Sequence, residues 1–95
     1  MFVILLRFGA NRAEAPRLME AHNAWLGQGF ADGVFQLAGT IAPKAGGAIL
    51  AHGADRAAIE ARLAADPFVA ARVVEAEIIE VSPGRTDDRL AFLAA

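Results

Sequence analysis

Two residues of this 95-residue sequence, His22 and Asp66, have side chains suited to proton transfer. A neutral imidazole can accept a proton at one ring nitrogen while its other N–H donates to a carboxylate, which orients the ring and stabilises its protonated form. We therefore interpret His22 as a candidate general acid/base and Asp66 as the carboxylate that orients it. The residues alone leave a second interpretation open, in which a half-buried helix histidine is simply hydrogen-bonded to a helix-capping carboxylate.

Asp66 lies at a predicted junction between two helices. Pro67 disfavours the α conformation for the residue before it and suits the first position of a helix. Asp66 is therefore a predicted N-cap, whose carboxylate accepts from the backbone N–H of Val69 or a neighbouring residue. A capping carboxylate keeps a free oxygen, so capping and a role beside His22 are compatible.

His22 lies on a predicted helix over residues 14–29. Apolar residues recur there at helical spacing, and His22 follows Leu18 by four residues and precedes Trp25 by three. The imidazole is therefore expected within the buried stripe of the helix. Gly29 is predicted to end this helix.

The remaining elements follow from short β-branched and aromatic runs, which predict strands, and from turn and capping residues. The predicted strands cover residues 2–8, 34–38, 48–52 and 72–81, with a hairpin turn at 44–47. Asp55 is predicted to cap a second helix that stops at Asp66-Pro67. The tail, residues 83–95, is predicted to contain a short capped helix anchored by Leu90, Phe92 and Leu93.

The order strand, helix, strand, strand, helix, strand predicts one α+β domain over residues 1–95 with a ferredoxin-like fold, a four-stranded antiparallel sheet with two helices on one face. The first strand is apolar on both sides, and on the second strand Phe35 and Leu37 are expected to lie opposite Val34 and Ala38. The face without helices is then apolar too. Either the tail covers it or a second copy packs sheet to sheet; we favour a homodimer, with a higher oligomer also open.

Composition excludes several classes of function. Apolar residues are 56% of the chain, the net charge is −2, and the nine basic residues are scattered, so we expect no nucleic-acid partner. The absence of cysteine excludes thiol catalysis, and two histidines remote in sequence lack the spacing of a metal site, so we expect no cofactor. The apolar start is too short to span a bilayer and lacks the features of a signal peptide, which predicts a cytoplasmic protein without membrane contact.

Together these motifs resemble the YCII-related family, small ferredoxin-like proteins of the dimeric α/β barrel superfamily. The resemblance rests on His22-Asn23-Ala24-Trp25-Leu26, on Gly39 through Pro43-Lys44 to Gly46-Gly47-Ala48-Ile49-Leu50, and on Asp66-Pro67-Phe68-Val69. It implies that His22 and Asp66 form the His–Asp pair proposed as catalytic in the family. One assigned reaction in the family is a dehydrochlorinase step in the breakdown of a chlorinated aromatic, and the superfamily includes muconolactone isomerases.

Four further residues are candidate substrate contacts. Lys44 could place an ammonium near an anionic group, because neighbouring glycines permit close approach, and Gly39 belongs to the same hairpin motif. Trp25 could line a pocket for a ring, and Arg7 could reach the cleft. The alternatives are a lysine that is only solvated at Lys44, a core position for Trp25 and a strand-end position for Arg7.

The sequence departs from the family pattern at four positions. Ala38, Thr40 and Lys44 stand where Ser, Pro and Arg are frequent, and Arg72 stands where Gly is common. The first three are expected along the cleft. Overall we predict a cofactor-independent acid–base enzyme of lyase, isomerase or dehalogenase type acting on a small acidic or aromatic metabolite. The alternatives are a non-catalytic module that binds a small molecule and a structural dimer.

Overall fold

The chain forms one four-stranded sheet with helices packed on one of its faces. A computed structural model describes residues 1–94, and Ala95 lies outside the described part. The elements are β1 (Phe2–Phe8), α1 (Ala15–Ala31), β2 (Phe35–Ile41), β3 (Gly46–Ala51), α2 (Arg56–Ala64), α3 (Pro67–Ala70) and β4 (Val74–Glu80), with 3-10 helices at Arg12–Glu14 and Asp88–Ala94.

The strand order is β2-β3-β1-β4, and every neighbouring pair is antiparallel. This order and connectivity confirm the predicted ferredoxin-like α+β fold. None of the helices within residues 1–94 has the length and apolar character needed to cross a membrane.

The core lies between the sheet and the helices. Alternate residues of β1, namely Phe2, Ile4 and Leu6, are buried, as the period of a strand requires. Apolar side chains of the other strands and of α2 and α3 complete the cluster, which comprises Phe35, Ile49, Ala51, Ile59, Leu63, Phe68, Val73 and Val74 in addition to the β1 residues. Helix α1, which carries the histidine described below, packs against this cluster through Leu18, Trp25 and Leu26.

The predicted alternation along β2 is wrong. Phe35 pairs with Ala51 but Leu37 pairs with Leu50, so a β-bulge at Gln36 shifts the register by one residue. Because one extra residue exchanges the two faces of a strand, Leu37 points away from the helices and is 56% exposed, while Ala38 points toward them. The hairpin turn also lies earlier than predicted, at residues 42–45, because β2 and β3 extend to Ile41 and Gly46.

Gly29 does not end α1, which continues to Ala31 and is followed by Gly33 at φ +74°. Gly29 is instead a packing position inside the helix. A Cβ there would collide with the ring of Phe35, so glycine allows α1 to lie against β2.

Two hydrogen-bonded contacts tie α1 to α2. The indole Nε1 of Trp25 donates to the carbonyl of Arg62 at 2.9 Å, and Arg62 Nη2 donates to Asp32 Oδ2 at 2.9 Å. A hydrogen bond from Gln28, and to a lesser extent one from Arg62, holds the pKa of Asp32 below its usual value. The contacts fix the end of α1 beside α2.

The sheet face without helices, here termed the outer face, carries a cluster of apolar residues drawn from all four strands. Val3 pairs with Leu50 on one side and Ile79 on the other, and Leu37 pairs with Leu50. Leu37 and Ile79 are exposed within the single chain.

The tail, as far as residue 94, leaves Leu37 and Ile79 of the outer face exposed. Its 3-10 helix places the Phe92 ring 5.7 Å from that of His52. Of the three predicted anchors only Leu93 is buried, while Leu90 and Phe92 are exposed. The part of the predicted tail helix at Ala95 lies outside the described residues.

Candidate active site

The structure brings His22 and Asp66 together across 44 residues of sequence, with His22 Nδ1 and Asp66 Oδ1 2.8 Å apart. His22 projects from the middle of α1, where only 9% of the residue is exposed, and Asp66 is fully buried at the junction of α2 and α3. The His22–Asp66 contact holds α1 against the junction of α2 and α3 at this point. The ring of Phe68 adds to it by stacking on the imidazole, with the ring centroids 4.0 Å apart and the ring planes 4° from parallel.

Asp66 is also the N-cap of α3. Its Oδ1 accepts from the backbone N–H of Phe68 at 3.0 Å, which confirms the predicted cap at the residue before Val69. The second oxygen, Oδ2, is fully buried and has no hydrogen-bond partner within residues 1–94. Both donors to this carboxylate therefore reach the same oxygen, and the contact from His22 is one of only two that offset its burial.

These contacts determine what the imidazole can do. A carboxylate oxygen can only accept, so His22 donates through Nδ1–H, and in the neutral ring Nε2 then carries the free lone pair. Among the buried and half-buried residues within 1–94, Asp66 Oδ2 is the one side-chain nitrogen or oxygen that is both fully enclosed and without a hydrogen-bond partner. His22 Nε2 also has no hydrogen-bond partner there, so it must be partly accessible to solvent. The ring is thus oriented to take a proton at Nε2 and return it.

A cavity of about 460 Å³ lies beside the imidazole, between α1, α3 and the sheet. Its wall is mostly apolar and is formed by Leu6, Phe8, Met19, Leu26, Ala38, Ala48, Ile49, Phe68 and Val74, together with the glycines of the hairpin. The polar residues on the wall are Arg12, His22, Asn23, Thr40 and Lys44. A largely apolar cavity with a few converging polar groups is the usual form of a small-molecule site.

The hairpin reaches the cavity through backbone that only glycine allows. Gly46 has φ +138°, and a Cβ there would collide with the carbonyl of Leu6. Close approach of the hairpin to β1 therefore depends on this glycine. Lys44, two residues earlier in the same hairpin and itself at φ +87°, lies on the cavity wall.

Of the four predicted substrate contacts, the structure places Gly39 and Lys44 on the cavity wall and the other two elsewhere. Arg7 projects from the outer face, where it forms an ion pair with Glu77, because its position in β1 alternates with the buried residues. Trp25 is turned toward α2 and packs edge-on against Phe35 at 5.2 Å. These are the strand and core positions that the sequence left open.

Two polar wall residues, Arg12 and Asn23, received no role from the sequence. Arg12 begins the short 3-10 helix between β1 and α1, a segment for which neither strand nor α-helix periodicity predicts the direction of a side chain. Asn23 follows His22 directly, and that adjacency within the family motif is the signal that could have identified it.

The departures from the family pattern have structural counterparts. Ala38, Thr40 and Lys44 all line the cavity, where they would alter its polarity and shape. Arg72 does not line the cavity and has φ +59°, a conformation that favours glycine.

The fold is similar to that of 5-chloro-2-hydroxyhydroquinone dehydrochlorinase from Burkholderia phenoliruptrix AC1100, solved in complex with 2,5-dihydroxybenzoquinone. The TM-score is 0.70 at 14% sequence identity, and the match covers 88% of this chain and 96% of that chain. An identity this low supports similarity of fold alone. No curated protein sequence gives a significant match. A model of the YCII-related domain matches residues 1–82, and the chain therefore belongs to the YCII-related family.

Proposed function

We propose that this protein is a cofactor-independent enzyme that uses His22 and Asp66 for proton transfer on a small acidic or aromatic metabolite. The observation that carries the proposal is the buried contact of 2.8 Å between His22 Nδ1 and Asp66 Oδ1 at the wall of a cavity of about 460 Å³. A histidine serving only the core would be enclosed by side chains, whereas this one borders open space.

In the proposed reaction, Nε2 of His22 removes a proton from a carbon or hydroxyl of the ligand. The C–H or O–H electron pair stays on the ligand, and Asp66 stabilises the imidazolium that forms. In an isomerase the proton is returned to a different atom. In a lyase or dehalogenase the electron pair forms a double bond and expels a leaving group such as chloride, after which the imidazolium loses its proton to water.

The size of the cavity and the structural neighbour support a single ring as the ligand. The neighbour's complex contains 2,5-dihydroxybenzoquinone, a small ring that bears acidic hydroxyl groups. For this chain a ligand of that class is a proposal, since Ala38 and Thr40 give the wall its own shape.

The function is tested by hydrogen–deuterium exchange at acidic C–H positions of small ring acids, followed by NMR in D₂O with 2,5-dihydroxybenzoquinone and hydroxylated chlorobenzenes as probes. Exchange reports proton abstraction even where no product accumulates. We expect His22→Gln to reduce catalysed exchange by about 10²- to 10⁴-fold, with unfolding free energy within about 1 kcal/mol of wild type.

The matched control is His52→Gln. His52 follows β3 and contacts Phe92 rather than a carboxylate, so exchange should be unchanged. Equal exchange by wild type and His22→Gln would contradict the proposal. Tight binding of these ring acids with no exchange for any of them would instead assign the protein as a non-catalytic binding module.

We further propose that the protein forms a homodimer in which two outer faces pack together. The apolar residues Val3, Leu37, Leu50 and Ile79 on that face support it, because adjacent exposed apolar side chains favour association. Sedimentation velocity at micromolar concentration should give a dimer for wild type and a monomer for Leu37→Glu. Leu90→Glu, which adds the same charge at an exposed leucine of the tail, is the control and should remain dimeric. A monomeric wild type would contradict the proposed interface.

A further inference from the structure

The cationic side chains of this protein fall into two groups. Five of the nine form ion pairs within residues 1–94, namely Arg7, Arg17, Arg56, Arg62 and Arg89. The other four are Arg12, Lys44, Arg72 and Arg85. Arg12 and Lys44 both lie on the wall of the cavity beside His22. The wall contains no Asp or Glu, so it carries a formal charge of +2 in a chain whose net charge is −2.

Arg12 is held at the cavity by Phe8. Its guanidinium lies over the Phe8 ring, 3.9 Å from the ring centroid, and Arg12 begins the short 3-10 helix between β1 and α1. A guanidinium stacked on an aromatic face is oriented by the ring while its N–H groups remain available at the edge. Arg12 is therefore placed without using a carboxylate, which leaves its positive charge for a ligand.

Phe8 also connects Arg12 to the hairpin that carries Lys44. The backbone N–H of Phe8 donates to the carbonyl of Ala45 at 3.4 Å, so the strand that supports Arg12 contacts the turn next to Lys44. Both cations belong to exposed residues that line the cavity, whereas His22 on the same wall is buried. The charge and the proton-transfer group thus lie at different depths.

We infer that Arg12 and Lys44 form a subsite for an anionic group of the ligand and that Arg12 determines specificity at this site. The inference deepens the proposed function and depends on it for the location of the ligand, but it concerns affinity rather than the chemical step. The ligand class is a single ring that carries a carboxylate or an ionised hydroxyl. That group lies between Arg12 and Lys44, while the ring extends along apolar residues such as Leu6 and Ile49 toward His22.

The test compares benzoate with benzamide, which share a ring and differ in charge, by calorimetric titration or NMR shift changes. Wild type should bind benzoate at least about tenfold more tightly than benzamide, and added salt should reduce that preference. Arg12→Gln should weaken benzoate binding about tenfold and leave benzamide binding unchanged, because only the charged ligand uses the guanidinium. Arg85→Gln is the control, since Arg85 is exposed, outside the cavity wall and without an ion pair within residues 1–94.

Equal benzoate affinity in Arg12→Gln and Arg85→Gln would overturn the inference, as would the absence of any preference for benzoate over benzamide. The proposed function fails separately. If His22→Gln abolishes exchange while Arg12→Gln binds benzoate like wild type, the acid–base role holds and the subsite is wrong. If Arg12→Gln loses benzoate affinity while His22→Gln retains full exchange, the anion subsite holds and the acid–base role is wrong.

Discussion

Asp55 and Asp66 are the N-caps of consecutive helices, and each side chain accepts from a backbone N–H of its helix. They differ in burial and in whether a second side chain contacts the carboxylate. The Asp55 carboxylate accepts from the N–H of Ala58 at 2.8 Å and is exposed to solvent. The Asp66 carboxylate accepts from the N–H of Phe68 at 3.0 Å but is fully buried, and it also accepts from His22. A cap requires only the first of these contacts, so burial and the imidazole are what set Asp66 apart.

The difference shows that capping alone does not indicate a functional carboxylate. Water can solvate the free oxygen of Asp55, whereas Oδ2 of Asp66 is enclosed and has no partner within residues 1–94. Leaving a buried oxygen unpaired costs free energy, and an exposed site such as that of Asp55 would supply the same cap without that cost. The buried position is explained if Asp66 is retained for its contact with His22.

Replacing each aspartate by alanine is expected to give the largest difference between the two caps. Asp66→Ala removes a cap worth about 1 kcal/mol and leaves buried donors unpaired at about 1–3 kcal/mol, so we expect a loss of about 2–4 kcal/mol in unfolding free energy. Catalysed exchange should fall by about 10²-fold or more, because His22 loses its orienting partner. Asp55→Ala should cost about 1 kcal/mol and leave exchange unchanged. Urea denaturation measures the stabilities, and equal losses for both variants would remove the distinction.

Local sequence signals predicted the two caps and the helix face of His22, since a cap and a helical stripe depend on neighbouring residues alone. The same signals could not predict features that depend on one inserted residue or on packing between elements. The bulge at Gln36 exchanges the faces of β2 and turns Ala38 toward the cavity. Gly29 resembles a helix end in sequence, but its absent side chain makes room for Phe35.

The cavity wall shows the same division between local and tertiary information. Lys44 and Gly39 were identified through a contiguous hairpin motif. Arg12 was not identified, because its direction depends on stacking over Phe8 and on the approach of the hairpin to β1. Arg7 is only five residues away in sequence, yet its position in a regular strand turns it to the outer face.

Replacing each aspartate by asparagine tests the role of the negative charge while keeping the shape of the side chain. Asparagine caps helices about as well as aspartate, so Asp55→Asn should change the unfolding free energy by less than about 0.5 kcal/mol. In Asp66→Asn the amide oxygen can replace Oδ1 while the NH₂ group takes the fully buried position of Oδ2, where the wild-type side chain forms no hydrogen bond within residues 1–94. The two unpaired N–H donors should cost about 1–3 kcal/mol.

The state of His22 in the same variant provides a second readout. In wild type, ¹⁵N NMR of the neutral ring should show the proton on Nδ1, as the contact with Asp66 requires. If Asp66→Asn is as stable as wild type and leaves both this tautomer and the exchange rate unchanged, the negative charge of Asp66 has no role in the site.

The smallest expected effect lies at the other end of α3, where Arg72 has φ +59° and is exposed. A left-handed conformation costs a non-glycine residue about 1–2 kcal/mol, and glycine loses about 0.5–1 kcal/mol of that advantage through its greater freedom in the unfolded chain. Arg72→Gly should therefore raise the unfolding free energy by up to about 1.5 kcal/mol, measured by urea denaturation, with exchange unchanged. Arg72→Ala keeps the conformational cost and should give no gain. Equal stability of the glycine and alanine variants would show that the backbone at this position is not strained. A stability gain confined to the glycine variant, with exchange unchanged, would show that stability around α3 can be changed without affecting the proton transfer proposed for His22 and Asp66.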